Sequence, residues 1–192
     1  MTIARIDFYT KVHKGLRADL FAVSQRAASV DYEDSHSLAG LATALAALLR
    51  RLSAHAGHEE RFIHPLLAAK LGETGLDAEH AQLEAAQETL EGRMAAVAQA
   101  AVGERRRLGQ GFYRALNVFI AKYLEHIDRE EQTMPALWER CSDEELAAVM
   151  RRFGASRSME EALADIGWML PALSAPEQAE LIGGMSAALG RR

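Results

Sequence analysis

Cysteine is almost missing from this chain: Cys141 is the one thiol in 192 residues. One thiol closes no internal disulfide, and it supplies no thiolate set for a structural zinc or an iron–sulfur cluster. Proline is scarce too, at four residues, and aromatics make up only 6%. Little is left to interrupt helices or to favour strands. An excess of positive charge is also lacking. The 22 Lys and Arg are outnumbered by 27 Asp and Glu, mixed in sign, so no basic stripe points to nucleic acid. The N-terminus has no basic-then-apolar signal pattern, and no continuous apolar run of membrane length stands out. These absences lead to the expectation of a cytoplasmic protein with neither a nucleic-acid nor a membrane partner.

What the chain does have is apolar residue, 49% of it, dominated by Ala and Leu. That is ample for a core and favours helix throughout. The expected fold class is all-α: an up-down-up-down four-helix bundle over residues 1–141, with a C-terminal extension of short helices over 142–192. Helix one is expected from about Ala4 to Ala28, and Asp34 or Ser35 caps helix two, which should run to a glycine stop near Gly72. Asp77 caps helix three, Gly103 ends it, and helix four spans Glu104 to Glu139. Beyond Arg140, three Ser-x-x-Glu capping boxes open at Ser142, Ser158 and Ser174. The helices they start are too short to stand alone. They should pack back on the bundle or make a homodimer contact.

The seven histidines are not scattered. At 100° per residue, Leu41, Ala44, Leu48, Leu52, His55, Glu59, Phe62 and Leu66 form one stripe. Leu108, Phe112, Phe119, Tyr123, His126, Glu130 and Leu137 form a second. Each stripe carries His-x3-Glu in its apolar seam, followed by a proline-containing close at Pro65 or Pro135. A carboxylate in an apolar seam is costly unless something compensates its charge. A metal ion shared with the neighbouring His would do so. His13 lies in the stripe of helix one and His80 near the edge of that of helix three. Rise along the helices puts His13, His55, Glu59, His80, His126 and Glu130 at one level, except that the loop between helices two and three leaves a mismatch of about 10 Å. Gly57, beside the ligands, suggests a close helix approach. The outward phase of Glu60, Glu131 and His64 sets them apart from the site, and His58 sits on the shoulder of the seam. His36 is about 28 Å of rise from His55 and is excluded. Imidazole with carboxylate suits iron, manganese or zinc, and two carboxylates can bridge two metals. The ferritin-like plan of paired Glu-x-x-His fails, because Glu33-x-x-His36 has no partner.

The order His13, His55-x3-Glu59, His80, His126-x3-Glu130 resembles the hemerythrin-like family, in its bacterial HHE cation-binding branch, over about Phe8 to Trp138. The resemblance implies a non-haem di-iron centre, with zinc or manganese as substitutes. His13, His55, His80 and His126 would be terminal ligands, and Glu59 and Glu130 would bridge. Two departures matter. Glu84 stands where the oxygen carriers have a second helix-three His, and helix four has His-x3-Glu in place of His-x4-Asp. The five-His set is therefore not expected, and Glu84 or His58 is the candidate to complete coordination. The implied function is binding or sensing of oxygen or nitric oxide. The alternatives are a di-iron redox enzyme (an oxidase or a peroxide-consuming protein), an iron donor for iron–sulfur cluster repair, and a metal-stabilised interaction module.

Overall fold

The computed structural model describes residues 5–189, with side chains described through residue 184. Among these residues there is helix and no strand: α1 (Thr10–Ser29), α2 (Ser35–Phe62), α3 (His64–Leu71), α4 (Leu76–Gln99), α5 (Val102–Arg140), α6 (Asp143–Ala155), α7 (Met159–Met169), a 3-10 turn at Leu170–Ala172, and α8 (Ala175–Leu189).

Four boundaries differ from expectation. Ala4 lies outside the described residues, and α1 begins only at Thr10. The Asp7 carboxylate collects the N–H groups of Tyr9 and Thr10 and the Thr10 hydroxyl, which starts the helix there. The preceding segment is tied to the end of α5. Arg5 donates to the carbonyls of Trp138 and Cys141, and the Trp138 indole donates to the Ile6 carbonyl at 2.9 Å. The second difference is larger. The helix expected to run unbroken to Gly72 stops at Phe62, and a new one starts at His64 with Pro65 in its first turn. Pro65 has no N–H to give and its ring crowds the carbonyl four residues back, so the ladder breaks before it. The short α3 then packs on α5 as well as on α2. Its rise no longer counts along the axis of α2, which removes the mismatch of levels. Asp77 is not a cap: α4 starts one residue earlier, after the left-handed Gly75 at φ 77°. Gly103 does not end that helix either: α4 stops at Gln99, and Gly103 lies in the first turn of α5, which begins at Val102. The three C-terminal helices start where the Ser-x-x-Glu pattern puts them. Full capping boxes form at Ser142 and Ser158, and Glu177 accepts from the backbone and hydroxyl of Ser174.

The four long helices α1, α2, α4 and α5 pack around a shared interior. One apolar cluster, with Leu16, Leu20, Leu48, Leu52, Phe112 and Ile127, fills most of it. A second cluster, with Tyr9, Leu67, Leu76, Met134 and Leu137, closes one end. Buried polar residues from each long helix lie where the two clusters meet: His13 on α1, His55 and Glu59 on α2, His80 on α4, and His126 and Glu130 on α5. The fold thus sandwiches a polar layer between two apolar ones. One helix, Ser35–Phe62, meets the length and composition of a membrane span, contrary to expectation. Its apolar stripe is spent inside the bundle, where Leu38, Leu41, Leu45, Leu48 and Leu52 are buried.

The extension lies against α1 and α2. Trp168 of α7 covers Gly15, donates to Asp19 at 2.9 Å and lies under the Arg51 guanidinium. Phe153 of α6 meets His58 and Phe62 edge-on. His58 is therefore turned to the extension, where burial and then the Arg157 charge lower its pKa.

Two glycines give a matched prediction. A Cβ on Gly109 would overlap the ring of Tyr32, whose hydroxyl is anchored to the Ala27 carbonyl at 2.8 Å. A Cβ on Gly57 meets nothing, so the close helix approach expected there does not occur. Gly109→Ala should destabilise by roughly 1–3 kcal/mol through overpacking. Gly57→Ala should stabilise by up to ~1 kcal/mol through helix propensity. Urea unfolding midpoints of the two variants check both signs.

Candidate metal centre

His13 from α1, His55 and Glu59 from α2, His80 from α4, and His126 and Glu130 from α5 all reach the polar layer, each 9% exposed or less. The i, i+4 spacing places His55 Nε2 3.0 Å from Glu59 Oε1, and His126 Nε2 3.1 Å from Glu130 Oε1. Across the bundle, His13 Nε2 is 3.1 Å from His55 Nε2 and 3.4 Å from Glu130 Oε2. His80 Nε2 is 3.3 Å from Glu130 Oε1 and 3.6 Å from Glu59 Oε2. The six residues singled out in the sequence therefore converge.

His64 joins them, against expectation. The break at Ile63 ends the α2 phase that would have turned it outward, and His64 is buried with its ring stacked on His80 at 4.9 Å. Ligand atoms form two groups, each within 4.8 Å of one another: His13, His55, Glu59 and Glu130, and then Glu59, His64, His80 and Glu130. Both carboxylates belong to both groups. The expected ligand His126 falls outside both groups, although its Nε2 is 3.1 Å from Glu130; His36 and His58 also belong to neither, and Glu84 lines a neighbouring cavity instead.

The outer nitrogens are held by carboxylates that sequence phase had set aside. His13 Nδ1 faces Glu131 at 2.9 Å, His80 Nδ1 faces Glu60 at 3.0 Å, and His126 Nδ1 faces Glu79 at 2.8 Å. His64 Nδ1 faces Asp77 at 2.5 Å. Arg17 and Arg129 in turn donate to Glu131 and Glu79. A carboxylate at Nδ1 requires a proton there, and that leaves the Nε2 lone pair pointing inward. Carboxylate-bound imidazoles of this kind are the usual supports of metal ligands.

The interior is consequently a set of acceptors facing acceptors. Both oxygens of Glu59, Oε2 of Glu130 and Nε2 of His64 are buried and take part in no hydrogen bond among the described residues. Such groups are costly to bury without a compensating cation. A donor set of imidazole nitrogen and carboxylate oxygen fits a first-row metal ion.

Protons compete for the same positions. Burial opposes the charged form of His13, but the facing carboxylates of Glu130, Glu131 and Glu59 outweigh it and raise its pKa from 6.5 to about 10. His80 is raised to about 9 against burial by Glu130, Glu59 and Glu60. Burial works against ionised Glu59 and Glu130, yet the facing imidazoles hold both below the carboxylate range. Burial likewise opposes Glu131, which His13 and Arg17 bring down to about 2. The hydroxyl of Tyr9, stacked on His13 at 5.2 Å, has no hydrogen-bond partner among the described residues. Burial, then the charges of Glu59 and Glu130, keep it protonated.

The sign of the pH effect follows. Groups raised in the folded state stabilise it fully below their ordinary pKa, and that stability is lost as pH rises through the raised value. The metal-free protein should therefore lose stability from above pH 6.5 through about 9 for His80 and about 10 for His13. Its urea midpoint should fall between pH 7 and 10. Metal loading at pH 7 should expel about two protons. Calorimetry in buffers of different ionisation enthalpy measures them.

A cavity of about 240 Å³ lies among α2, α4 and α5, lined by residues that include Ser53, Gly57, Gln87, Tyr123, His80 and His126. It leads from the surface to the His80 side of the layer.

A helical bundle that buries a His/Glu cluster of this kind is of the cation-binding class. Residues 4–137 match the model of the hemerythrin HHE cation binding domain, and the chain belongs to that family. No curated protein and no solved structure matches it.

Proposed function

We propose that the chain is a non-haem di-iron protein that binds or senses oxygen or nitric oxide, working in the cytoplasm. The observation that carries this is the inward-facing set of acceptors, in which Glu59 and Glu130 belong to both candidate ligand groups. His13 and His55 would hold one iron, His80 and His126 the other, and the two carboxylates would bridge. An iron pair supplies electrons for reversible binding of a diatomic gas. The protein's own part is orientation and enclosure. Glu131, Glu60 and Glu79 fix the imidazole tautomers. The α6 and α7 helices cover the flank of α1 and α2, and the cavity among α2, α4 and α5 admits a small ligand. Zinc or manganese would fit the same donors. The exposed Met150, Leu163 and Ile182 are the apolar surface that a homodimer through the extension would use.

The test is anaerobic loading with ferrous iron, then exposure to nitric oxide or oxygen while the absorption spectrum is followed. A stable adduct that reverses when the gas is removed supports the reading. One observation favours a second reading, a peroxide-consuming enzyme: the cavity wall carries the polar groups of Ser53, Glu84 and Gln87. Steady consumption of peroxide without a lasting adduct would favour it.

A further inference from the structure

We propose that His64 is a fifth imidazole ligand of the metal pair and that the break at Ile63 serves to deliver it. The inference rests on the two-metal reading above. His64 has three features of a ligand at once. Asp77 holds Nδ1 at 2.5 Å, so the free lone pair is on Nε2. That Nε2 is buried and has no hydrogen-bond partner among the described residues. Its ligand atom lies within 4.8 Å of those of Glu59, His80 and Glu130. A histidine serving only as packing would leave a buried polar atom uncompensated, whereas a cation beside Glu59 and Glu130 satisfies it.

The two halves of the centre then differ. His64, His80 and His126 share one half, while His13 and His55 make up the other. The ring stacking of His64 on His80, and the edge contact of His80 with His126 at 4.8 Å, tie the three together. Glu84, on α4 where the oxygen carriers that the chain resembles have a second histidine, lines the cavity and is in neither ligand group, so the fifth imidazole comes from α3. Asp77 becomes its positioning residue. Seated in the first turn of α4, it links α3 to α4 through His64.

The experiment compares wild type with His64→Gln, His64→Ala and His58→Gln in the full chain loaded with ferrous iron, and again with zinc. Iron X-ray absorption counts imidazoles per metal pair, and chelator competition gives the two affinities. The inference expects five imidazoles in wild type and four in His64→Gln. One of the two ions should be weakened by roughly tenfold or more while the other is unchanged. His58→Gln should match wild type. Free imidazole added to His64→Ala should restore the weakened ion, a rescue that a purely structural histidine would not give. An unchanged imidazole count and unchanged affinities in His64→Gln, with two ions still bound, overturn this inference and leave the two-metal reading standing. A wild type that binds fewer than two ions overturns both. His64→Ala that loses metal and is not rescued by imidazole also overturns the ligand role.

Discussion

Glu130→Ala and Glu59→Ala should each abolish the coupled two-metal signature, not merely weaken binding. Glu130 is fully buried, with His126 at 3.1 Å, His80 at 3.3 Å and His13 at 3.4 Å from its two oxygens. It is the point on which three helices converge. Glu59 is 1% exposed and accepts no hydrogen bond among the described residues, so a cation is the partner its position calls for. A terminal histidine serves one ion, whereas a carboxylate common to both ligand groups serves two. Its loss should release one ion, and the magnetic coupling goes with it. The metal-free fold should suffer too. Removing one side of a buried ion pair costs about 3–5 kcal/mol because the other side stays buried and charged. Gln at either position keeps the volume and an acceptor, and should fold better than Ala while still failing to couple the metals. Metal stoichiometry and magnetic susceptibility of the four variants decide the matter. Two coupled ions in Glu59→Ala or Glu130→Ala would mean that carboxylate does not bridge.

Glu131→Ala and Glu79→Ala should weaken metal binding by roughly 10–100-fold although neither residue reaches the ions. Each holds an Nδ1, at 2.9 Å on His13 and 2.8 Å on His126, and each is braced by an arginine. Without the carboxylate, the imidazole can take the other tautomer or turn, and either removes its Nε2 lone pair from the centre. Glu60 holds His80 in the same way, but its side chain is 50% exposed, so solvent can replace it and the loss should be smaller. Gln at 131 or 79 keeps an acceptor and should recover part of the affinity. Zinc competition against a chelator ranks the variants. Affinities equal to wild type would show that the outer bonds do not orient the rings.

This second expectation reverses what phase alone implies. Glu60 and Glu131 each follow a seam carboxylate by one residue and point off the apolar stripe. On an isolated helix that reads as solvent. In the bundle, the polar shoulder of one helix faces the outer edge of a neighbour's histidine, a relation between helices that no single periodicity records. Glu79 is hidden in the same way. His64 escaped for a different reason. The stripe through His55, Glu59 and Phe62 extends to Leu66 only if the helix is continuous, and the helix stops at Phe62, with Pro65 in the first turn of the next. The proline was a partial signal, since Pro135 sits inside an unbroken α5. Once α2 ends at Phe62, the orientation of every later residue is reset, and the apparent mismatch between His55 and His80 disappears with it. The start of α1 was missed because Asp7 acts through local backbone bonds. The Gly109–Tyr32 contact joins residues far apart in the chain. By contrast, the two His-x3-Glu seams, His13, His80 and the capping boxes were legible. Each depends on spacing within one helix or on a cap at its start, and the structure preserves that spacing.

Iron counting on the full chain decides whether two ions share the carboxylates of Glu59 and Glu130. Purified protein is stripped of metal, titrated anaerobically with ferrous iron, and examined by Mössbauer spectroscopy before and after oxidation. Two irons per chain are expected and, once oxidised, a coupled pair with no net spin. Saturation at one iron per chain, or two ferric ions that remain magnetically independent, would contradict it.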